Sequence, residues 1–224
     1  MEERRFDVVN HETPRLESFE KALGSGKYTD DLSVPGMVYA ELVRSPYSHA
    51  KVLSIDTSEA EKVPGYLGCA LPEESPQMYF NCSGNPPSPL LMADEKVLTD
   101  EPLVLGDRVA VVAAETEEAA HAAAEAVRVE YEVIQPMLDV KAALAPNAPA
   151  LQPHIAPDNI IQRREVSQGD IAAGEAASDI IEEDHFVTPA MQHTTIELTS
   201  CICDFSDGEH ITIYSCSQTV FQER

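Results

Sequence analysis

Apolar and polar positions alternate most clearly in two short runs near the front of the chain. Met37 to Arg44 (MVYAELVR) alternates loosely and suits a strand, and Ala50 to Asp56 (AKVLSID) alternates as a second one. Pro35-Gly36 sets a tight turn ahead of the first run, and Ser45-Pro46-Tyr47 breaks the pattern between them. Thr57 or Ser58 is placed to cap a short helix over Glu59 to Lys62, Pro64-Gly65 ends it, and Tyr66 to Ala70 follows as an apolar strand. The strongest local unit lies further on. Val109 to Ala114 (VAVVAA) has strand length and no polar interruption. Thr116 is an N-cap candidate, and Glu117 and Glu118 fall in a first helical turn, where the dipole favours negative charge. Ala119 to Val127 is Ala-rich and strongly helix-forming, and Arg128 to Val133 (RVEYEV) alternates again. The predicted order is strand–helix–strand, closed by Pro136.

Proline punctuates the rest. Residues 71–90 hold five prolines, which deny both helix and central strand, so a long loop is expected there. Residues 141–158 (KAALAPNAPALQPHIAPD) are rich in Pro and Ala and read as a linker between domains. Gly169-Asp170 then opens a polar helix near 171–178. Strands are expected over Ile180 to Thr188, Thr195 to Phe205 and Ile211 to Ser217, with Asp207-Gly208 as a hairpin turn between the last two. The resulting division is a lead-in over 1–15, a first domain over 16–140, the linker over 141–158 and a second domain over 159–224. No internal repeat is present.

Composition sharpens this picture. Of 224 residues, 43% are hydrophobic, aromatics are only 6% and Trp is absent, so the core must be mostly Ala, Val, Leu and Ile. Acidic residues number 39 against 15 basic ones, a formal net charge of −24. That excludes a nucleic-acid partner, which needs clustered Lys and Arg, and disfavours anionic membranes for the same reason. No apolar run approaches the ~20 residues of a membrane span. The first six residues, MEERRF, contain no apolar stretch of the secretory kind, so a cytoplasmic location is expected. Cys69, Cys82, Cys201, Cys203 and Cys216 include no C-x-x-C pair and read as reduced thiols.

Three ordered blocks resemble the xanthine dehydrogenase and aldehyde oxidase family. The first is Lys21 to Asp31 (KALGSGKYTDD) with Pro35-Gly36-Met37, Arg44-Ser45-Pro46 and His49-Ala50. The second is Leu98 to Gln135, with Gly106-Asp107-Arg108-Val109-Ala110 and Ala114 to Ala119. The third is Gly169-Asp170, Phe186, Thr188-Pro189, Gln192-His193 and Glu197, then Ile213-Tyr214-Ser215, Ser217-Gln218 and Arg224. No single motif is specific, and the strength lies in their order from about residue 15 to residue 224. The resemblance implies an α+β chain: an α/β hammerhead domain, then an incomplete, β-rich start of the molybdenum-cofactor-binding domain. It implies an N-terminal portion of a molybdopterin-dependent subunit that carries out oxidative hydroxylation of a purine-like heterocycle or an aldehyde with oxygen from water. Its partners would be the remainder of the molybdenum subunit, iron–sulfur and FAD subunits, and a small-molecule substrate. The family's Gly-rich cofactor loop and its glutamate base have no match here, so this chain alone is expected to hold no cofactor and no certain catalytic residue. The alternative is a non-catalytic structural or assembly module, a truncated or split subunit without activity of its own.

Individual residues follow from the same resemblance. Gln218 closes the run Tyr214-Ser215-Cys216-Ser217 and matches a glutamine that hydrogen-bonds an oxygen ligand of molybdenum, since an amide donates without adding charge. Cys216 departs from the pattern, which has a small hydroxyl residue there. Gln192 is the second cofactor-facing candidate, against a plain loop amide. His193 is expected to be packed at a strand start, and Glu197, inside an apolar strand, would need a buried partner. Arg224 would begin a helix and make a fold contact. Cys201 and Cys203 share one strand face by period 2, and together with Cys216 and His193 they raise a thiol-metal site; the spacing favours small apolar packing instead.

Overall fold

The computed structural model describes residues 8–9, 11–81 and 92–217. In chain order the elements are α1 (Ser18–Leu23), β1 (Tyr39–Arg44), β2 (Ala50–Asp56), β3 (Tyr66–Ala70), β4 (Arg108–Ala114), α2 (Glu117–Ala126), β5 (Arg128–Val133), α3 (Val140–Ala143), α4 (Ile171–Ala176), β6 (Cys201–Asp204) and β7 (Thr212–Ser215). The chain forms two compact units, Gly36–His185 and the pairing of Met1–Pro35 with Phe186–Arg224.

The larger unit is built on the predicted strand–helix–strand. Here β4 lies in the middle of an antiparallel sheet of order β1-β4-β3, and β2 pairs with β5 in a second antiparallel ladder. The β1 and β2 runs form strands because alternation lets each bury one face, yet they do not pair with each other. Pro102 O and Asp100 O accept from Ala50 N and Val52 N at 3.1 and 2.8 Å, so the 99–102 segment also takes backbone bonds of β2. The α2 helix starts where expected. Thr116 accepts from Ala119 N at 3.1 Å, satisfying one orphan donor of the first turn. Its Ala120 and Ala123 are buried, and Ala123 joins the cluster of Val43, Ala60, Val109, Ala110, Val112 and Val127. The core is thus made of Ala and Val. The expected Leu and Ile enter at its margin: Ile55 and Leu71, with Tyr66 and Tyr131, are partly buried against the cluster and Leu98 is buried, whereas Leu53, Leu67, Leu105 and Ile161 are exposed.

Small side chains allow close approach, and Gly65 shows how close. Its φ is +87°, its carbonyl accepts from Glu115 N at 2.9 Å, and an added Cβ would meet Ala119 Cβ at 3.5 Å. Glycine is required there by the left-handed backbone. The helix expected over Glu59 to Lys62 is a single 3-10 turn, Ala60–Lys62. Neither Thr57 nor Ser58 caps it: Thr57 instead donates its hydroxyl to Glu61 Oε1 at 2.9 Å, and Ser58 N donates to Asp56 Oδ1.

The Pro- and Ala-rich stretch after α3 is held to the larger unit by named bonds. Asn159, at φ 59°, accepts from Leu151 N and donates to Ala143 O and Pro149 O. Gln152 donates to Asp94 O at 2.8 Å, His154 stacks on Tyr79 at 4.2 Å between ring centroids, and Ala156 is buried. Of the proline-rich loop, residues 82–91 lie outside the described residues. Its stems meet at the bridge Phe80↔Glu95, where Arg108 binds Glu95 at 2.6 Å.

The smaller unit departs most from expectation. Residues 180–188 form no strand, and the two later strands shrink to β6 and β7, which pair only with each other. A strand persists where a neighbour takes its N–H and C=O groups. Among the described residues no neighbour does so for 180–200, and that stretch is largely exposed. The hairpin expected at Asp207-Gly208 exists, with a longer loop: Gly208, at φ 74°, donates to Phe205 O at 3.1 Å.

Two substitutions test the Ala–Val layer. Val112→Ala should cost about 2 kcal/mol, a transfer loss plus a cavity, and Thr116→Ala about 1 kcal/mol. Exposed Leu53→Ala should cost well under either. Urea unfolding measures all three, and equal costs for Val112→Ala and Leu53→Ala would contradict the assigned core.

Candidate functional site

The residues singled out in the sequence fall in the smaller unit, with Gln218 and Arg224 outside the described residues. Gln192 lies in exposed chain outside any helix or strand; its carbonyl accepts from Thr194 Oγ1 at 3.3 Å, and Thr194 holds a left-handed φ of 49°. His193 is exposed rather than packed at a strand start, and Glu197 is exposed rather than buried in a strand. Both differences have one cause: with no ladder over 186–200, the chain there has no face to bury. Gln192, His193 and Glu197 are therefore not brought together by side-chain bonds.

Glu197 does reach a groove. An open cavity of about 540 Å³ in the smaller unit is lined by Glu197, Lys21, Lys27, Tyr28, Tyr214 and Ile213 among others. It brings the α1 region beside β7, a long-range meeting that no local motif announces. Near its rim, Glu17 is held below the usual carboxylate range by its hydrogen bond from Arg15 and the charges of Arg15 and Lys21.

The cysteines are placed differently from expectation. Cys201 and Cys203 are exposed rather than packed in a core. Their Sγ atoms lie 3.9 Å apart. Cys216 is half-buried and donates to Ser200 O at 3.7 Å. Cys69 belongs to the larger unit, beside an apolar depression of about 400 Å³ on β3 and β4, and burial, with Glu74 nearby, pushes its thiol up. Among the described residues no group of three or more His, Cys, Asp or Glu is arranged to hold a metal ion. Nor does any helix among them have the length and apolarity to cross a membrane.

The turn between β6 and β7 is closed by bonds to Asp207. Asp207 accepts from His210 N at 2.8 Å and Glu209 N at 3.0 Å, and its other oxygen lies 3.0 Å from His210 Nδ1. These bonds, led by the His210 backbone N–H, hold its carboxyl below the usual range.

Comparison with known proteins gives two matched segments. The family model described as "Aldehyde oxidase and xanthine dehydrogenase, a/b hammerhead domain" matches residues 23–135, and "Molybdopterin cofactor-binding domain" matches 153–224. A probable xanthine dehydrogenase subunit of Bacillus subtilis is 35% identical over 205 residues, 91% of this chain and 26% of that protein. The nicotinate dehydrogenase large molybdopterin subunit of Eubacterium barkeri is 28% identical over 98% of this chain and 49% of its own. The aldehyde oxidoreductase of Desulfovibrio gigas superposes with a TM-score of 0.79 at 27% identity, covering 91% of this chain and 23% of that one. The chain thus spans about a quarter to a half of the length of these relatives.

The Asp207 turn gives a pH prediction. A carboxylate whose folded pKa is lowered stabilises the fold above its unfolded value, and that contribution is lost as pH falls through the folded value. Amide exchange at Glu209 and His210 should therefore lose protection on acidification below the ordinary carboxylate range, relative to exchange in the same turn of Asp207→Asn. Identical pH profiles for the two proteins would remove the carboxylate from the turn's stability.

Proposed function

Because this chain belongs to the aldehyde oxidase and xanthine dehydrogenase family, we propose that it supplies the hammerhead domain and the first stretch of the cofactor-binding domain of a molybdenum hydroxylase subunit. The observation that carries this is the order of two matches, 23–135 and 153–224, the first laid on the β1-β4-β3 sheet and α2. The reaction class is oxidative hydroxylation of a purine-like heterocycle or an aldehyde with oxygen from water. The molybdenum group, when bound, supplies water activation and a two-electron sink.

The described residues do not by themselves fit that group. Gln192, His193 and Glu197 are exposed, and no side-chain bond aims any of them at a common point. A first contact with a cofactor requires an oriented donor, and none is oriented in 186–200. The part proposed for this chain is structural: it presents walls and a scaffold, without cofactor or turnover of its own. Gln218 and Gln192 are the two amides assigned to face the cofactor in the assembled subunit; the support is their place in the family pattern and an amide's ability to donate without adding charge. The partners are the remainder of the molybdenum subunit, which the partial coverage of relatives favours, and, by the family resemblance alone, iron–sulfur and FAD subunits in the cytoplasm.

Molybdenum analysis of the purified chain, with xanthine, nicotinate and aldehyde oxidation assays, should find neither metal nor turnover. Stoichiometric molybdenum with turnover would overturn the scaffold role. In a chimera, this chain replaces the matching quarter of the Bacillus subtilis protein. That chimera should load molybdenum, and Gln218→Ala should then lower its activity ~10-fold or more without loss of metal. A folded chimera devoid of molybdenum would count against the domain assignment.

A further inference from the structure

The His49 ring sits in the larger unit with both of its nitrogens out of use. The residue leads into β2, its side chain is 13% exposed, and Nδ1 and Nε2 are both buried without a hydrogen-bond partner among the protein's atoms. Its backbone is fixed, because Ile134 N, just past β5, donates to His49 O at 3.0 Å. β5 takes one edge of β2, and segment 99–102 takes backbone bonds of the other, where Pro102 O and Asp100 O accept from Ala50 N and Val52 N. Glu101 stands between those two acceptors in the chain. Its side chain is 61% exposed, and its Oε1 lies 3.8 Å from His49 Nε2.

A neutral imidazole carries one donor and one acceptor, and burying either unpaired is costly. A protonated ring carries two donors and a charge. The Glu101 carboxylate has to approach by only about 1 Å to make a charge-assisted bond of ~2.8 Å. Burial disfavours the charged ring, and the carboxylate favours it. Other ionisable groups on the surrounding elements have their own counterparts. Asp100 is bound by Lys96 at 3.4 Å, and Asp107 accepts from Leu103 N and Val104 N. On β5, Glu132 stands opposite Lys51 of β2, and the Tyr131 ring meets Tyr47 edge-on at 5.3 Å between centroids. Glu101 is the carboxylate within reach of the ring.

We propose that His49 and Glu101 form a proton-operated latch that fastens segment 99–102 to β2. When the ring is charged it draws Glu101 in, and the bonds from Ala50 and Val52 are held shut. When the ring is neutral, Glu101 returns to solvent and those bonds open more often. The latch acts only in the folded chain. Its stabilisation is therefore present at the acid end of the imidazole range and lost as pH rises through it.

Amide hydrogen exchange of the full chain reads the latch at Ala50 and Val52. Protection factors, corrected for intrinsic exchange, should be about 2- to 5-fold higher at about pH 5.5 than at about pH 8, the yield of a partly exposed ion pair. Glu101→Gln and His49→Gln should each abolish that difference. Should His49→Gln misfold by circular dichroism, Glu101→Gln, which alters an exposed side chain, decides the matter. Equal protection at the two pH values in the unsubstituted chain overturns the latch, and so does a pH difference that survives in Glu101→Gln.

Discussion

The larger unit depends on how closely α2 can lie on the sheet. Ala123 joins Val109 and Val112 in the buried cluster, Ala120 is buried on the same helix, and Gly65 takes a left-handed φ beside Ala119 where a side chain would be strained. Such a layer buries little apolar area per residue, and at about 25 cal/mol per Å² each contact contributes little. Stability must then be gathered from many polar fastenings at the periphery. Asp107 accepts from Leu103 N and Val104 N, Arg108 holds Glu95, and Asn159 ties three backbone groups of the segment after α3. Each satisfies a group that would otherwise be costly to bury.

Legibility of the sequence followed the same division. Where alternation or a buried apolar run is matched by a long-range partner, as in β2, β3 and β5, the strand limits read from the pattern match those of the structure. Thr116 was readable because an N-cap is a local device. The stretch 180–200 misleads because its apolar side chains, Ile180, Phe186, Ile196 and Leu198 among them, advertise strands whose partner cannot be inferred from the strand itself. The Pro/Ala segment misleads differently. Proline excludes regular structure without excluding attachment, and Gln152, His154 and Asn159 supply the attachment.

The candidate site was legible as a family pattern and much less as geometry. Gln192, His193 and Glu197 are singled out by their order in the chain, yet order alone carries no information about what orients a side chain. The groove that Glu197 shares with Lys21 and Tyr28 joins segments far apart in sequence and was invisible for that reason. The Cys201 and Cys203 pair was the reverse case: period 2 fixed their common face, while their exposure depended on what else covers the hairpin.

The pairing of β2 with β5, Ala50 opposite Val133 and Asp56 opposite Arg128, has a consequence for synthesis of the chain. So does the pairing of β1 and β3 with β4. The ribosome delivers three strands first and the edges they need last. Until β5 has cleared the exit tunnel, β1, β2 and β3 present open backbone to the surrounding solution, and such edges recruit other chains. Closing loops of this length also slows folding. Residues 1–70, which carry these three strands, hold only 12 Asp and Glu against 8 Lys and Arg, so most of the chain's charge of −24 arrives too late to keep nascent copies apart while they wait for β4 and β5.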